Sequence, residues 1–311
     1  MAAITTKSNG TALFPVELEK NLFSKVKGHS SLAKLSASEA IPFCGKDIFT
    51  FNFSNDVSIV AESGNKPAGD AVVAPVHIVP LKIVYQERIT DEFVLAAEEK
   101  QLEYISAFTD GFAKKLGSGL DKMAMHGIDP KSKAISAAIG TNCFDKISGI
   151  TSVTYNASTA DTNINDAVAA VEANEYAVNG IAISTTMRQA LANLKGDGRV
   201  PAYPEFNFGA CPETLGSMKL DANATVSIKS TDASEANTGV DHAIVGDFEN
   251  CFRWGIAEEI PMKVIEYGNP DGQGDLQAMN QIILRAEAYI GWAILDANAF
   301  ARVKVADTEA E

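Results

Sequence analysis

Apolar and polar side chains alternate between residues 48 and 53, with Phe49, Phe51 and Phe53 on one side and Thr50 and Asn52 on the other. Val79, Leu81, Ile83 and Tyr85 alternate in the same way further on. A period of two is the mark of a strand with two different faces. The stretch between them centres on Ala61-Glu62-Ser63-Gly64-Asn65-Lys66-Pro67, which is broken by Gly and Pro and contains no tight-turn dipeptide such as Asn-Gly. The pattern predicts two strands joined by a long loop, an arm whose tip holds too few apolar residues to bury a core of its own and which needs a neighbour to lie on.

The period then changes. Thr90 is placed to cap a helix, with Asp91 and Glu92 putting negative charge at the positive end of the helix dipole. Ile105, Phe108, Phe112, Leu116, Leu120 and Met123 recur at intervals of three or four, while Lys100, Glu103, Lys114 and Lys115 lie off that stripe. A helix from Thr90 to His126 would be about 55 Å long at about 1.5 Å per residue, longer than most domains are wide. Gly111, Gly117 and Gly119 each cost about 1 kcal/mol relative to Ala, which predicts a bend or a frayed turn near 117–119. Gly127 and then Asp129-Pro130 end the helix.

Residues 134–162 are rich in Ser, Thr, Asn and Gly and read as loops and short strands. A helix opening at Asn165 or Asp166 and running to Ala173, a buried strand Gly180 to Ser184, and a helix capped by Thr185 or Thr186 and ending at Leu194 make a small α/β unit. Gly196-Asp197-Gly198 is a turn, and Thr214-Leu215 and residues 243–248 introduce further strands. Near the end, Ile282, Leu284, Ala286, Ala288, Ile290 and Trp292 share one strand face and Gln281, Arg285, Glu287 and Tyr289 the other. Pro261 to Tyr267 is its hairpin partner across a Gly-rich loop at 268–274. The fold class is α+β.

Composition narrows the function. The chain has 311 residues, 46% hydrophobic and 21% charged, as in an ordinary globular protein, with no apolar h-region at its start and no run of 18 apolar residues. Cys44, Cys143, Cys211 and Cys251 lie far apart and form neither a zinc pattern nor a disulfide framework, and they read as buried free thiols. A net charge of -14, from 40 acidic and 26 basic residues, speaks against nucleic-acid binding through a basic face. No nucleophile motif accompanies the four histidines, and Asp241-His242 reads as an ordinary loop pair. Gly117-Ser118-Gly119 and Gly196-Asp197-Gly198 complete no phosphate fingerprint. Residues 269–275 present oxygen ligands at alternate positions, yet Pro270 and a missing downstream Glu depart from a calcium loop. The residues give no catalytic group, cofactor or metal.

One order of features runs through nearly the whole sequence: an arm from Leu13 to Leu35, a loop with Lys66-Pro67 near its tip, a long helix from Thr90 to Gly127 containing Asp121, an α/β unit from Ile164 to Leu194, then Gly246-Asp247-Phe248, Arg285-Ala286-Glu287 and Ala299-Phe300. This order resembles the tailed-bacteriophage major capsid proteins with the Hong Kong 97-type capsid fold. The resemblance implies an N-terminal arm at 1–45, an extended loop at 46–89, a peripheral domain with a spine helix at 90–133, an axial α/β domain at 134–258, and closing strands of the peripheral domain with a return to the axial domain at 259–311.

It further implies a subunit that assembles with itself as hexamers and pentamers into an icosahedral head enclosing double-stranded DNA without sequence-specific binding. The expected partners are a portal, a scaffolding protein and a decoration protein, with no membrane. The expected location is the virion capsid, assembled in the host bacterial cytoplasm. The arm-like pattern begins by Leu13 with no heptads before it, so a separate scaffolding protein and no large N-terminal cleavage are expected. Some relatives join subunits by a lysine-to-asparagine isopeptide bond, and Lys66, Asn280 and Glu287 occupy the matching positions; on a strand, however, 280 and 287 point to opposite faces. The bland reading is a solvated lysine, a polar asparagine at the strand entry, and a Glu287 paired with Arg285 or another charge. Two alternatives stand beside it: within the same fold an encapsulin-like cargo shell, against which the long loop with Lys66-Pro67 weighs, and from another class a cytosolic α/β enzyme or binding domain.

Overall fold

The computed structural model describes residues 30–53, 57–69, 71–91, 98–196, 199–232, 241–257 and 262–306. Most of the expected arm, up to residue 29, lies outside these, as do predicted helix residues 92–97, turn residues 197–198 and Pro261. The described chain opens on a short helix, α1 (Ser31–Leu35), capped by the Ser30 hydroxyl accepting from the Ala33 amide at 3.2 Å. Leu32 and Leu35 of α1 are buried in the main core.

Strand β1 (Lys46–Phe53) pairs antiparallel with β2 (Ala71–Ile78), Lys46 opposite Ile78 and Phe53 opposite Ala71. This corrects the expected partner, Val79 to Tyr85. Pro75 disguised β2, because a proline inside an apolar run argues against a strand; a two-stranded ribbon has free edges on which the missing N–H costs nothing. After Val79-Pro80 the chain leaves the ribbon and enters β3 (Leu81–Thr90), which pairs with a long strand near the C-terminus. Thr90 is the last residue of β3, opposite Gln281, and the residue after it, Asp91, is helical, so Thr90 stands at the position expected of a cap.

Helix α2 (Glu98–His126) runs through Gly111, Gly117 and Gly119 without interruption, so the expected frayed turn does not occur. Its stripe of Phe108, Phe112, Leu116, Leu120 and Met123 is buried, and that packing outweighs the glycines' entropic cost. Gly127 ends the helix with φ +66°, and a Cβ there would lie 2.8 Å from the Cys143 sulfur, so only glycine fits. The helix's late carbonyls at Ala124 and Met125 accept from the amides of Phe144 and Asp145 at 2.9 and 3.0 Å, which docks the following loop on the helix end.

Two sheets frame this helix. In the first, the order is β10-β11-β3, where β10 (Met262–Ile265) and the predicted β11 (Gln281–Ile294) form the expected hairpin and β9 (Phe252–Ile256) pairs with the far end of β11. Leu284, Ala286, Ala288, Ile290 and Trp292 of β11 share one core with the α2 stripe. The second sheet has six strands in the order β4-β12-β8-β5-β7-β6, namely Thr151–Thr154, Phe300–Lys304, Asp241–Gly246, Gly180–Ile183, Met218–Ala222 and Thr214–Leu215.

Alternate residues of its central strands serve different cores. Ile181, Ile183, Ala243, Val245, Ala301 and Val303 pack under helices α3 (Ala160–Glu172) and α4 (Thr185–Asn193), whereas Ala182, Ile244 and Phe300 face the α2 core. A sheet covered on both faces gives continuous apolar runs, as 180–183 showed in the sequence. Helix α3 begins at Ala160, ahead of the expected Asn165 or Asp166. Helix α4 is capped by Ser184, accepting from Met187 at 3.1 Å, one residue before the expected Thr185.

Candidate functional site

The structure places the three crosslink candidates apart in environment. Lys66 is exposed on the link between β1 and β2. Asn280 sits one residue before β11 in the left-handed region (φ 50°), and its carbonyl accepts from the Asp91 amide at 2.9 Å. Glu287 is 5% exposed at mid-strand, opposite Val84. Its carboxylate pairs with Lys82 at 3.2 Å and with Arg285 at 3.8 Å. Lys82 is held above its ordinary pKa chiefly by its hydrogen bond to Glu287.

The ribbon exposes a continuous apolar face. Phe49 stands opposite Pro75 and Phe51 opposite Val73, with Phe49 at 68% and Phe51 at 60% exposure, and Val57 and Ile59 beyond them fully exposed. Directly opposed residues share a face, so these four side chains form one patch in water.

Inside the molecule a chain of polar groups links the segment at Ser30 to the second sheet. Asp121 of α2 is fully buried and accepts from the Ser30 hydroxyl, the Ser31 amide (3.0 Å), the Leu32 amide (3.3 Å), the Thr225 hydroxyl (2.7 Å) and Asn223 Nδ2 (3.4 Å). Burial pushes this carboxyl above its ordinary pKa, against the pull of those donors. One further turn along, His126 Nε2 lies 2.8 Å from the Thr225 carbonyl and Nδ1 lies 2.9 Å from Asp145 Oδ2.

Arg302 of β12 completes the network. It bonds Asp241 through Nε (2.9 and 3.0 Å) and Nη2 (2.9 Å), Asp145 Oδ1 through Nη2 (2.6 Å), and the carbonyls of Phe144 and Asp145 through Nη1 (both 3.1 Å). All five of its N–H donors are thus used. His126, Asp145 and Asp241 could offer ligand atoms within 4.8 Å of one another. The guanidinium already lies on both carboxylates and both ring nitrogens of His126 are engaged, so the group reads as an ion-pair network and not as a metal site.

Asp241 and His242 are accordingly buried strand residues rather than an ordinary loop pair. His242 Nδ1 lies 3.0 Å from Ser184 Oγ and its ring lies tilted against that of Tyr155, with centroids 4.0 Å apart. Burial lowers the His242 pKa, which leaves its Nδ1 free to accept from the hydroxyl. Ser184 is buried and occupied as the α4 cap, a structural use of a Ser-His pair. All four cysteines are free thiols as expected, but only Cys143 and Cys251 are buried; Cys44 and Cys211 are exposed. The loop read as a poor calcium site uses Asp271 for Arg88, with Nε to Oδ2 at 2.7 Å. Among the described residues no helix is long and apolar enough to cross a membrane.

Asp145, Thr225 and Arg302 were not singled out from the sequence, and no local signal marks them, since their partners lie far away along the chain. The sequence matches the model of the phage capsid family over residues 10–305. No curated protein matches it. Among solved structures, one from Mycobacterium phage Ogopogo is 31% identical, with a TM-score of 0.75 over 89% of this chain and 92% of that one. One from Gordonia phage Cozz is 23% identical, with a TM-score of 0.72 over 90% and 87%. A structure described as the capsid of the native GTA particle is 13% identical, with a TM-score of 0.62 over 89% and 90%. The chain belongs to the phage capsid family: it is a major capsid protein with the Hong Kong 97-type fold, a non-enzymatic subunit that assembles with its own copies into the capsomers of a phage head shell.

Proposed function

We propose that copies of this chain close an icosahedral shell around double-stranded DNA, and that the β1–β2 ribbon lies across a neighbouring copy. The observation that carries this is the apolar face of Phe49, Phe51, Pro75 and Val73, which is exposed on the single subunit. Burying two phenylalanines and two smaller apolar side chains against a neighbour contributes several kcal/mol at about 25 cal/mol per Å² of apolar surface. Repeating one such contact around five-fold and six-fold positions builds curvature from a single sequence.

In this reading residues 46–89 are the extended loop, 90–133 the spine of a peripheral domain, and 134–258 an axial domain, while 259–311 supply the closing strands. The pairing of β12 with β8 supports the return of the last segment to the axial domain, and the pairing of β3 with β11 ties the end of the extended loop to the peripheral sheet. The net charge of -14 suits an inner wall that holds DNA at high density without gripping it. Assembly takes place in the host cytoplasm on a scaffolding protein, with a portal at one vertex and a decoration protein outside.

The subunit crosslink through Lys66, Asn280 and Glu287 is the finer proposal, and Glu287 weighs against it. A general base must lie beside the nucleophile it serves. Here the amine beside the Glu287 carboxylate is that of Lys82, at 3.2 Å, with Arg285 at 3.8 Å.

Negative-stain microscopy of the purified chain tests the main reading. Closed shells tens of nanometres across support it, and a small discrete oligomer under every assembly condition overturns it.

A further inference from the structure

The polar chain from Ser30 to Arg302 contains one group whose protonation is dictated by geometry. A neutral imidazole carries one N–H and one lone pair. Nε2 of His126 faces the carbonyl of Thr225, which only accepts, and Nδ1 faces a carboxylate oxygen of Asp145. A neutral ring would set one lone pair against another at 2.8 or 2.9 Å, between side chains buried from bulk solvent. A proton on Asp145 could remove the clash only by giving up part of its pairing with Arg302, whose Nη2 lies 2.6 Å from the other oxygen.

We propose that His126 is a buried imidazolium whose second proton fastens the end of α2 to the 223–225 turn and the axial sheet, a pH-sensitive tie that loosens as pH rises. The groups facing it come from several elements: Asp145 and Cys143 on the loop after α2, Asp241 on β8, Arg302 on β12, and Asp121 one turn back on α2 itself, reached through Thr225. Cys143 stays neutral, since burial raises its thiol to about 11. Asp145 is held ionised by His126 and Arg302, while burial and Asp145 together raise Asp241. As Asp241 loses its proton the local charge becomes more negative, which extends the range over which His126 keeps its own. The position at a helix C-terminus adds to this, because the dipole favours a cation there.

The consequence reaches the arm. Thr225 gives its carbonyl to His126 and its hydroxyl to Asp121, and Asp121 holds Ser30, Ser31 and Leu32. Release at His126 therefore loosens the seat of the chain segment that enters from the N-terminal side.

His126 is raised above its ordinary value of 6.5, so its contribution is complete below pH 6.5 and is lost as pH rises through the folded value. With one proton involved, the opening equilibrium at Ser31 and Leu32, corrected for intrinsic exchange, should grow about tenfold per pH unit between those limits and then level off. The experiment uses full-length dissociated subunit with 15N-histidine. His29→Gln, His77→Gln and His242→Gln, one at a time, assign the ring signals and leave His126 intact. Two protonated ring nitrogens on His126 at pH 7, together with that slope, are the expected result. A ring with one bare nitrogen at pH 7, or a midpoint below 6.5, overturns the proposal. His126→Gln should remove the slope, and if that variant does not fold, the wild-type ring spectrum still decides.

Discussion

Asp121 shows how much one side chain can hold in this protein. Five donors converge on it from two separate stretches of chain, Ser30 to Leu32 and Asn223 to Thr225. Asp121→Ala should cost about 3–5 kcal/mol, the usual range for breaking a buried charged network, and Asp121→Asn about 2 kcal/mol because its amide N–H₂ would meet donors. Urea unfolding of the subunit measures both, and a loss under about 0.5 kcal/mol for the alanine variant would refute this account. At Asp145 the shift is downward, so its stabilisation is present above the ordinary carboxylate pKa of 3.8 and is lost as pH falls toward the lowered folded value. Acid titration followed by near-ultraviolet circular dichroism should show unfolding set by this group, and Asp145→Asn should be less stable at pH 7 with a flatter acid limb. At Glu287, the neighbouring amine is Lys82 and not Lys66, which predicts no isopeptide bond: mature shells boiled in denaturant should run as one band near 33.0 kDa. A ladder abolished by Lys66→Arg would show the opposite.

At the scale of elements, the ribbon and the helix behave differently. The ribbon has a paired backbone and an exposed apolar face, so its two strands depend on a neighbour for burial. Phe49→Asp should leave subunit stability within about 0.5 kcal/mol, since most of that side chain is in water already, and should abolish shells seen by microscopy. Equal shell yield would mean the patch meets no neighbour. Backbone amides from Glu62 to Gly69, on the link between the paired strands, should exchange fast in the dissociated subunit and slowly in shells, and equal protection in both states would contradict the docking role. Helix α2 is buried along its stripe and tied at its C-terminal end by the loop amides and by His126. Its three glycines looked like breaks because propensity is read residue by residue, whereas the continuous apolar stripe on β11 is a property of the packed pair. The same limit hid β2, whose Pro75 is tolerable only because the ribbon has free edges.

At the scale of the whole molecule, the division between sequence and tertiary structure follows the range of the physics involved. The amino-acid sequence by itself determined what depends on neighbours a few residues apart: the long helix with its stripe at 108–123, the buried strand at 180–183, the alternating faces of 281–292 and the glycine stop at 127. The ordered features from Leu13 to Phe300 carried the family. Only the tertiary structure decided the pairings. It moved the β1 partner to Ala71–Ile78, placed β3 against β11, and put Asp241 and His242 in a buried strand. It also assembled Ser30, Asp121, Thr225, His126, Asp145 and Arg302 into one connected network. Hydrogen bonds between groups as much as 158 positions apart leave no periodic trace, because each partner alone is an ordinary polar residue. Their meaning arises when folding removes water and leaves each donor with a single acceptor.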